Sequence, residues 1–132
     1  MPRVLSRFAV SSNVFYLIPL AVAAYYGLTL VAIALLFLFI FSTAFHVLKE
    51  EEFVRSDILA ALVVLVVDVW LLYIGGLRPV PVTIVACIGL VAFAIRCFEH
   101  GKRGGTAHGF WHAAAALGTL ICILSVTTSV FG

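Results

Sequence analysis

The sequence predicts an all-α fold, a polytopic bundle of about five transmembrane helices, on three observations. Of 132 residues, 64% are apolar and 11% are charged, against about half and about a quarter in ordinary globular chains. The apolar residues fall into five runs near 8–26, 28–48, 57–74, 80–98 and 107–130, each close to the roughly 20 residues that cross a hydrocarbon core about 30 Å thick. The runs are continuously apolar, whereas strands of a membrane barrel alternate lipid-facing and lumen-facing residues.

The first two runs are divided only by Gly27. A single helix through both would be about twice the length a bilayer holds, so the sequence predicts a tight helical hairpin. Arg3 and Arg7 ahead of the first run, with AVA at 21–23, also resemble a signal peptide and its cleavage site. The run is long for a signal peptide and continues past that site, so the segment is expected to remain as a span. Pro19 is expected to kink the first helix, and Pro79 and Pro81 to mark the start of the fourth. No repeat, linker or low-complexity tract divides the chain, and residues 1–132 read as one integral membrane domain.

Five spans place the N-terminus and the loops at 49–56 and 99–106 on one side. That side holds Arg3, Arg7, Lys49, Arg55, Arg96, Lys102 and Arg103, whereas Arg78 stands alone on the other. Cytoplasmic loops carry the excess of Lys and Arg, so the first side is expected in the cytoplasm; Glu50, Glu51 and Glu52 count little. A net charge of +2 without a basic stripe interleaved with aromatics gives no sign of nucleic-acid binding. Cys87, Cys97 and Cys122, unevenly spaced in apolar runs, suggest neither a disulfide framework nor a Cys-x-x-Cys metal site.

Ionisable groups inside spans are expensive and need a partner, an aqueous cavity or a chemical task. His46 lies near the end of the second run with Ser42 one turn deeper on the same face; Asp57 opens the third; His108 and His112 share one face at the start of the fifth. The second run ends, and the third and fifth begin, on the same side, so all five groups can meet at one depth. Three neutral imidazoles leave the fourth position of a tetrahedral zinc open, as catalytic zinc requires. Zinc lowers the pKa of a coordinated water to about 7. Asp57 can then carry the proton to a leaving group, and Ser42 can donate to a developing oxyanion. Taken singly, each has an ordinary reading: interfacial histidines, a serine bonded to its own helix, an aspartate capping a helix start. Their joint placement favours a site.

The residues STAFH at 42–46, Asp57 eleven positions after His46, and HGFWHAAAALG at 108–118 resemble the CREST superfamily of membrane hydrolases. That group includes alkaline ceramidases, Per1-type lipid-remodelling proteins and adiponectin-type receptors. Its signature is Ser-x-x-x-His, a later Asp, and His-x-x-x-His in the last helix, and the ceramidase branch looks most similar. The resemblance covers mainly the second, third and fifth spans. It implies zinc held by His46, His108 and His112, Asp57 on the zinc-bound water, Ser42 near the oxyanion, and hydrolysis of an amide or ester in a membrane lipid that enters from the bilayer. The family usually has seven spans where this sequence shows five, and the acidic calcium-binding motif of alkaline ceramidases is missing. The alternative is a non-catalytic receptor or scaffold with a retained structural metal site. Proton or ion transport fits less well, because the ionisable groups gather at one face of the bilayer.

Asp68 follows Asp57 by eleven residues, on the same face and roughly 16 Å deeper. A charged Asp facing lipid there costs at least about 2.5 kcal/mol, which favours a bundle-facing or protonated group. It is a secondary site candidate, with an interhelical hydrogen bond as the plainer reading. His100, among Glu99, Lys102 and Arg103 with flexible glycines, reads as a solvated loop residue. Trp111 is placed to pack on the imidazoles or to sit at the interface, and Trp70 reads as a packing or lipid-facing residue.

Overall fold

The structure is a computed structural model that describes residues 11–48, 51–98 and 106–128; the side chains of 51–54, Asp57, Arg96, Phe98 and 106–108 lie outside the described set. All regular structure among the described residues is helical. A 3-10 segment, Ser12–Tyr16, leads into α1 (Leu17–Tyr25). There follow α2 (Thr29–Leu48), α3 (Glu51–Ile74), α4 (Pro79–Phe98) and α5 (Thr106–Thr127). These correspond in order to the five apolar runs. The third helix starts before its run does, because the helix-favouring Glu51, Glu52 and Arg55 extend it backwards from the apolar segment. The cationic residues Arg3, Arg7, Lys49, Lys102 and Arg103 lie outside the described residues, so the expectation for sidedness rests on the sequence.

Local chemistry sets the turns. At the end of α1, Leu28 N–H donates to Ala23 O at 2.9 Å and Gly27 N–H to Ala24 O at 3.1 Å, with Gly27 at φ 70°. This is a Schellman motif, in which a left-handed glycine lets the chain satisfy the last carbonyls of the helix and reverse. The end of α3 repeats it: Leu77 N–H donates to Leu72 O at 2.9 Å and Gly76 N–H to Tyr73 O at 3.0 Å, with Gly76 at φ 82°. Pro79 then occupies the first position of α4, where its missing N–H is harmless. No atom outside the local chain lies within 4 Å of a Cβ built on Gly27, so only backbone strain opposes a side chain there. Gly27→Ala is expected to cost about 1–2 kcal/mol, read as a lower thermal midpoint in detergent with unchanged helix content.

At Pro19 the expected kink takes another form, a change of pitch from 3-10 to α two residues upstream. Proline cannot donate to the carbonyl four residues back, so the preceding segment closes on three-residue hydrogen bonds instead. That tighter winding brings Ser12, Asn13 and Tyr16 to the buried side together.

Four helices form a closed ring, α1 on α2, α2 on α3, α3 on α5, and α5 on α1, while α4 packs outside against α5. The 3-10 segment touches α1, α2 and α5, and so plugs one end of the ring. Inside lie Ala23, Val31, Leu35, Leu38, Val64, Leu71, Ala116 and Ile123. On α2 the buried stripe runs Val31, Leu35, Leu38, Ser42, His46, the three- and four-residue spacing of one helical face. The stripe thus turns from apolar to polar on its way to the plugged end. Outward faces remain apolar: Tyr25, Leu30, Val66, Tyr73 and Leu90 are each more than two-thirds exposed. Two helical stretches, Thr29–Leu48 with a mean hydropathy of 2.5 and Gly109–Thr127 with 1.7, are long and apolar enough to cross a membrane.

Candidate functional site

A polar cluster occupies the plugged end of the ring, sealed from the surface. Ser12, Asn13, Ser42, His46 and His112 are each no more than 3% exposed. Ser42 and His46 arrive on the inward stripe of α2, His112 on the inward face of α5, and Ser12 and Asn13 on the 3-10 segment between them. Buried polar groups without partners cost free energy, and here Ser12, Asn13, Ser42 and His112 satisfy one another. Ser12 Oγ lies 2.9 Å from His112 Nδ1. Ser42 Oγ donates to Asn13 Oδ1 at 3.1 Å and stands 3.5 Å from His112 Nε2. Asn13 Nδ2 reaches towards Thr43 Oγ1 at 3.4 Å.

The two described imidazoles face each other nearly edge to face, with ring centroids 5.1 Å apart and an interplanar angle of 64°. Tyr16 also packs against His112, its ring centroid 5.7 Å away. The sequence placed Trp111 either on the imidazoles or at the interface; it lies on an exposed face of α5, 38% exposed. That the aromatic beside the cluster is Tyr16 follows from the packing of the 3-10 segment on α5, which residue spacing within α5 does not reveal.

Of the five residues expected at one depth, three are brought together: Ser42, His46 and His112. The other two fall on the right elements. His108 sits in α5 one turn before His112, and Asp57 in the second turn of α3, the helix that packs on both α2 and α5. Their side chains lie outside the described residues, as does His100. Among the described residues no group of three His, Cys, Asp or Glu side chains gathers to hold a metal ion.

The pair that is described suits zinc in spacing and in support. Zinc–nitrogen bonds of about 2.0–2.1 Å at a tetrahedral angle put the centroids of two imidazoles about 5 Å apart. A metal-ligating histidine also engages its second ring nitrogen with a polar partner, and Ser12 stands in that place beside His112 Nδ1. Ser42 meets the cluster differently from the sequence expectation. Its hydroxyl hydrogen is directed at Asn13, so donation to an oxyanion requires it to turn away.

Ser12 and Asn13 were legible as candidates only in one respect: SSN at 11–13 interrupts an apolar run, and polar groups in a span ask for partners.

Asp68 is separate from this cluster. Thr119 Oγ1 donates to Asp68 Oδ2 at 2.9 Å across the α3–α5 contact, two turns along α5 from His112 and so roughly 10 Å away along the axis. Its Oδ1 is buried with no hydrogen-bond partner among the described residues. Interhelical hydrogen bonds of this kind contribute about 0.6 to 1.7 kcal/mol in membranes. Thr119→Val is therefore expected to lower unfolding free energy by about 1 kcal/mol while metal content is unchanged, checked by unfolding in mixed micelles and by elemental analysis.

Compared with protein-family models, with curated proteins and with solved structures, the chain finds no match.

Proposed function

We propose that this chain is a multi-pass membrane protein whose buried His46–His112 pair, completed by His108, holds zinc for hydrolysis of an amide or ester bond in a membrane lipid. The 5.1 Å pairing of the two rings beside a hydroxyl on Nδ1 carries this reading. Its support for five spans is the bundle itself. The shorter apolar helices Ser12–Tyr25, Ile58–Ile74 and Pro79–Ile95 pack alongside the two long ones and turn large apolar side chains outward. In water such a surface would far exceed the apolar patches soluble monomers expose; in hydrocarbon it is solvated. The N-terminus and the metal end then face the cytoplasm by the excess of Lys and Arg there.

When bound, zinc supplies Lewis acidity towards a carbonyl and towards water. The chain's own residues do the rest. Asp57, entering from α3 at the same end, moves the proton between water and leaving group. Ser42, once its hydroxyl turns from Asn13, donates to the oxyanion that develops on the attacked carbonyl, and the burial of the cluster excludes bulk water. An apolar groove of about 210 Å³ between α2 and α3, lined by Ala34, Phe37, Phe41, Leu59, Ala60 and Val63, suits an acyl chain. Its Phe41 and Ser56 immediately precede Ser42 and Asp57 in sequence. The resemblance of STAFH, Asp57 and HGFWH to CREST hydrolases supports the same chemistry, with a ceramide-like amide as the first substrate to try.

The test uses the full chain in detergent: zinc by elemental analysis, and fatty-acid release from ceramide and from phospholipid in mixed micelles. One zinc per chain with chelator-sensitive release is expected. Folded protein that holds no zinc and releases no fatty acid overturns the proposal.

A further inference from the structure

Among the eight Lys and Arg of the chain, Arg78 alone falls between α3 and α4, at the end of the bundle away from the polar cluster. Its guanidinium has one side without a partner: Nη1 is buried and makes no hydrogen bond among the described residues, while the residue as a whole is half-buried. A guanidinium stays charged in proteins, and a charge withdrawn from water is tolerated when an opposite charge and hydrogen bonds meet it. No acidic side chain of the protein stands at this end. Of the six Asp and Glu, Glu50, Glu51, Glu52, Asp57 and Glu99 fall at the cluster end of their helices. Asp68 lies six residues, roughly 9 Å, before the end of α3, where Thr119 donates to it.

The turn that carries Arg78 is firmly set. Gly76 at φ 82° and Leu77 at φ 48° are consecutive left-handed residues, and Pro79 disfavours a helical backbone at Arg78. A left-handed leucine is strained, and strain of this kind persists where the surrounding structure over-determines it. Beyond the turn, Pro79 and Pro81 lack an N–H, and Val82 N–H donates to Arg78 O at 3.3 Å. Val80 N–H is thus the remaining donor of the first turn of α4, two positions from the guanidinium. Tyr73, Leu77 and Val80 around it are each more than half exposed, a pairing of aromatic and apolar surface with a cation that belongs where hydrocarbon meets headgroups.

We propose that Arg78, with Val80 N–H two positions on, binds the phosphate group of a phospholipid in the leaflet away from the polar cluster. The guanidinium meets two phosphate oxygens through its paired N–H groups, and the lipid's chains lie against the exposed side chains of Tyr73 and Leu77. The inference rests on the multi-pass part of the proposed function and is independent of zinc and of hydrolysis.

The test uses the full chain in detergent micelles with chelator present. Retention of lipid is read by native mass spectrometry and protection by the thermal midpoint. Dioleoyl phosphatidylglycerol is compared with dioleoylglycerol, which has the same chains and no phosphate, and with inorganic phosphate at equal concentration. The phosphatidylglycerol alone is expected to stay bound and to raise the midpoint. Arg78→Gln is expected to weaken its binding about 10- to 100-fold, and Arg55→Gln, which removes an exposed cation at the other end of α3, to leave it unchanged.

Equal protection by dioleoylglycerol overturns the inference without any variant, and equal protection by inorganic phosphate overturns the lipid as the source of the phosphate. So does a folded Arg78→Gln protein that binds phosphatidylglycerol as the unmodified chain does. Binding through Arg78 in a chain that holds no zinc and releases no fatty acid upholds the phosphate site while the hydrolase reading alone falls. A chain released from membranes by alkaline carbonate overturns the multi-pass reading and this inference together.

Discussion

His112→Ala is expected to empty the centre of zinc and to stop lipid hydrolysis, while His100→Ala leaves both unchanged. The difference follows from the buried contacts of His112 and from the glycine-rich, charged sequence EHGKRGG in which His100 stands. His112 is the hub of the buried cluster: it meets Ser12 through Nδ1, His46 edge to face, Ser42 across Nε2, and Tyr16 on its ring. Loss of a supporting hydrogen bond alone weakens a metal site about 10- to 100-fold, and loss of a ligand nitrogen exceeds that. Zinc content should fall from near one per chain to less than about a tenth of that after dialysis. The alanine also leaves the hydroxyl of Ser12 facing a void, so thermal stability drops as well. His112→Gln, which fills more of the space and keeps a polar atom, separates the two effects: stability largely returns and zinc does not. Elemental analysis together with a thermal scan reads both.

Asp57→Asn is expected to retain zinc and to lose turnover by about 10²- to 10⁴-fold, the range that a positioned acid–base group contributes. The substitution keeps size and shape at the second turn of α3 and removes only the capacity to take and return a proton. A receptor or scaffold with a structural metal site would give a different pattern. Its metal content and any cellular role would survive Asp57→Asn, and the unmodified chain would release no fatty acid. Measured side by side, zinc per chain and fatty-acid release from mixed micelles distinguish a hydrolase from that alternative in one pair of proteins.

The helices were legible in the sequence because their cause is local. Apolar runs of nearly twenty residues set where α2, α4 and α5 lie, and Gly27 with Gly76 supplied the left-handed residues that end α1 and α3. The face shared by Ser42 and His46 was legible from their spacing, and so was the end of the bundle at which α2 and α5 deliver their polar groups.

What stayed hidden depended on how separate helices cross. Ser12 and Asn13 lie far in sequence from the residues that would flag them: Ser12 meets a histidine 100 positions away, Asn13 a serine 29 positions away. Neither is ionisable, and the cost of a hydroxyl or amide in a span is small enough that a plain reading accepts it. The 3-10 winding that turns both inward depends on Pro19, whose effect reads from sequence as a kink. That Tyr16 is the aromatic beside His112 likewise depends on the packing of the 3-10 segment on α5. For Asp68 the interhelical hydrogen bond was legible as the plainer reading, but its partner Thr119 could not be chosen from the several small polar residues of α5.

X-ray absorption at the zinc edge of the purified, full chain tests the central claim most directly, because it counts the atoms that surround the ion. Three imidazole nitrogens and one oxygen at about 2.0–2.1 Å, with no sulfur, are the predicted shell. Sulfur at about 2.3 Å, a single imidazole, or no bound zinc at all would contradict it.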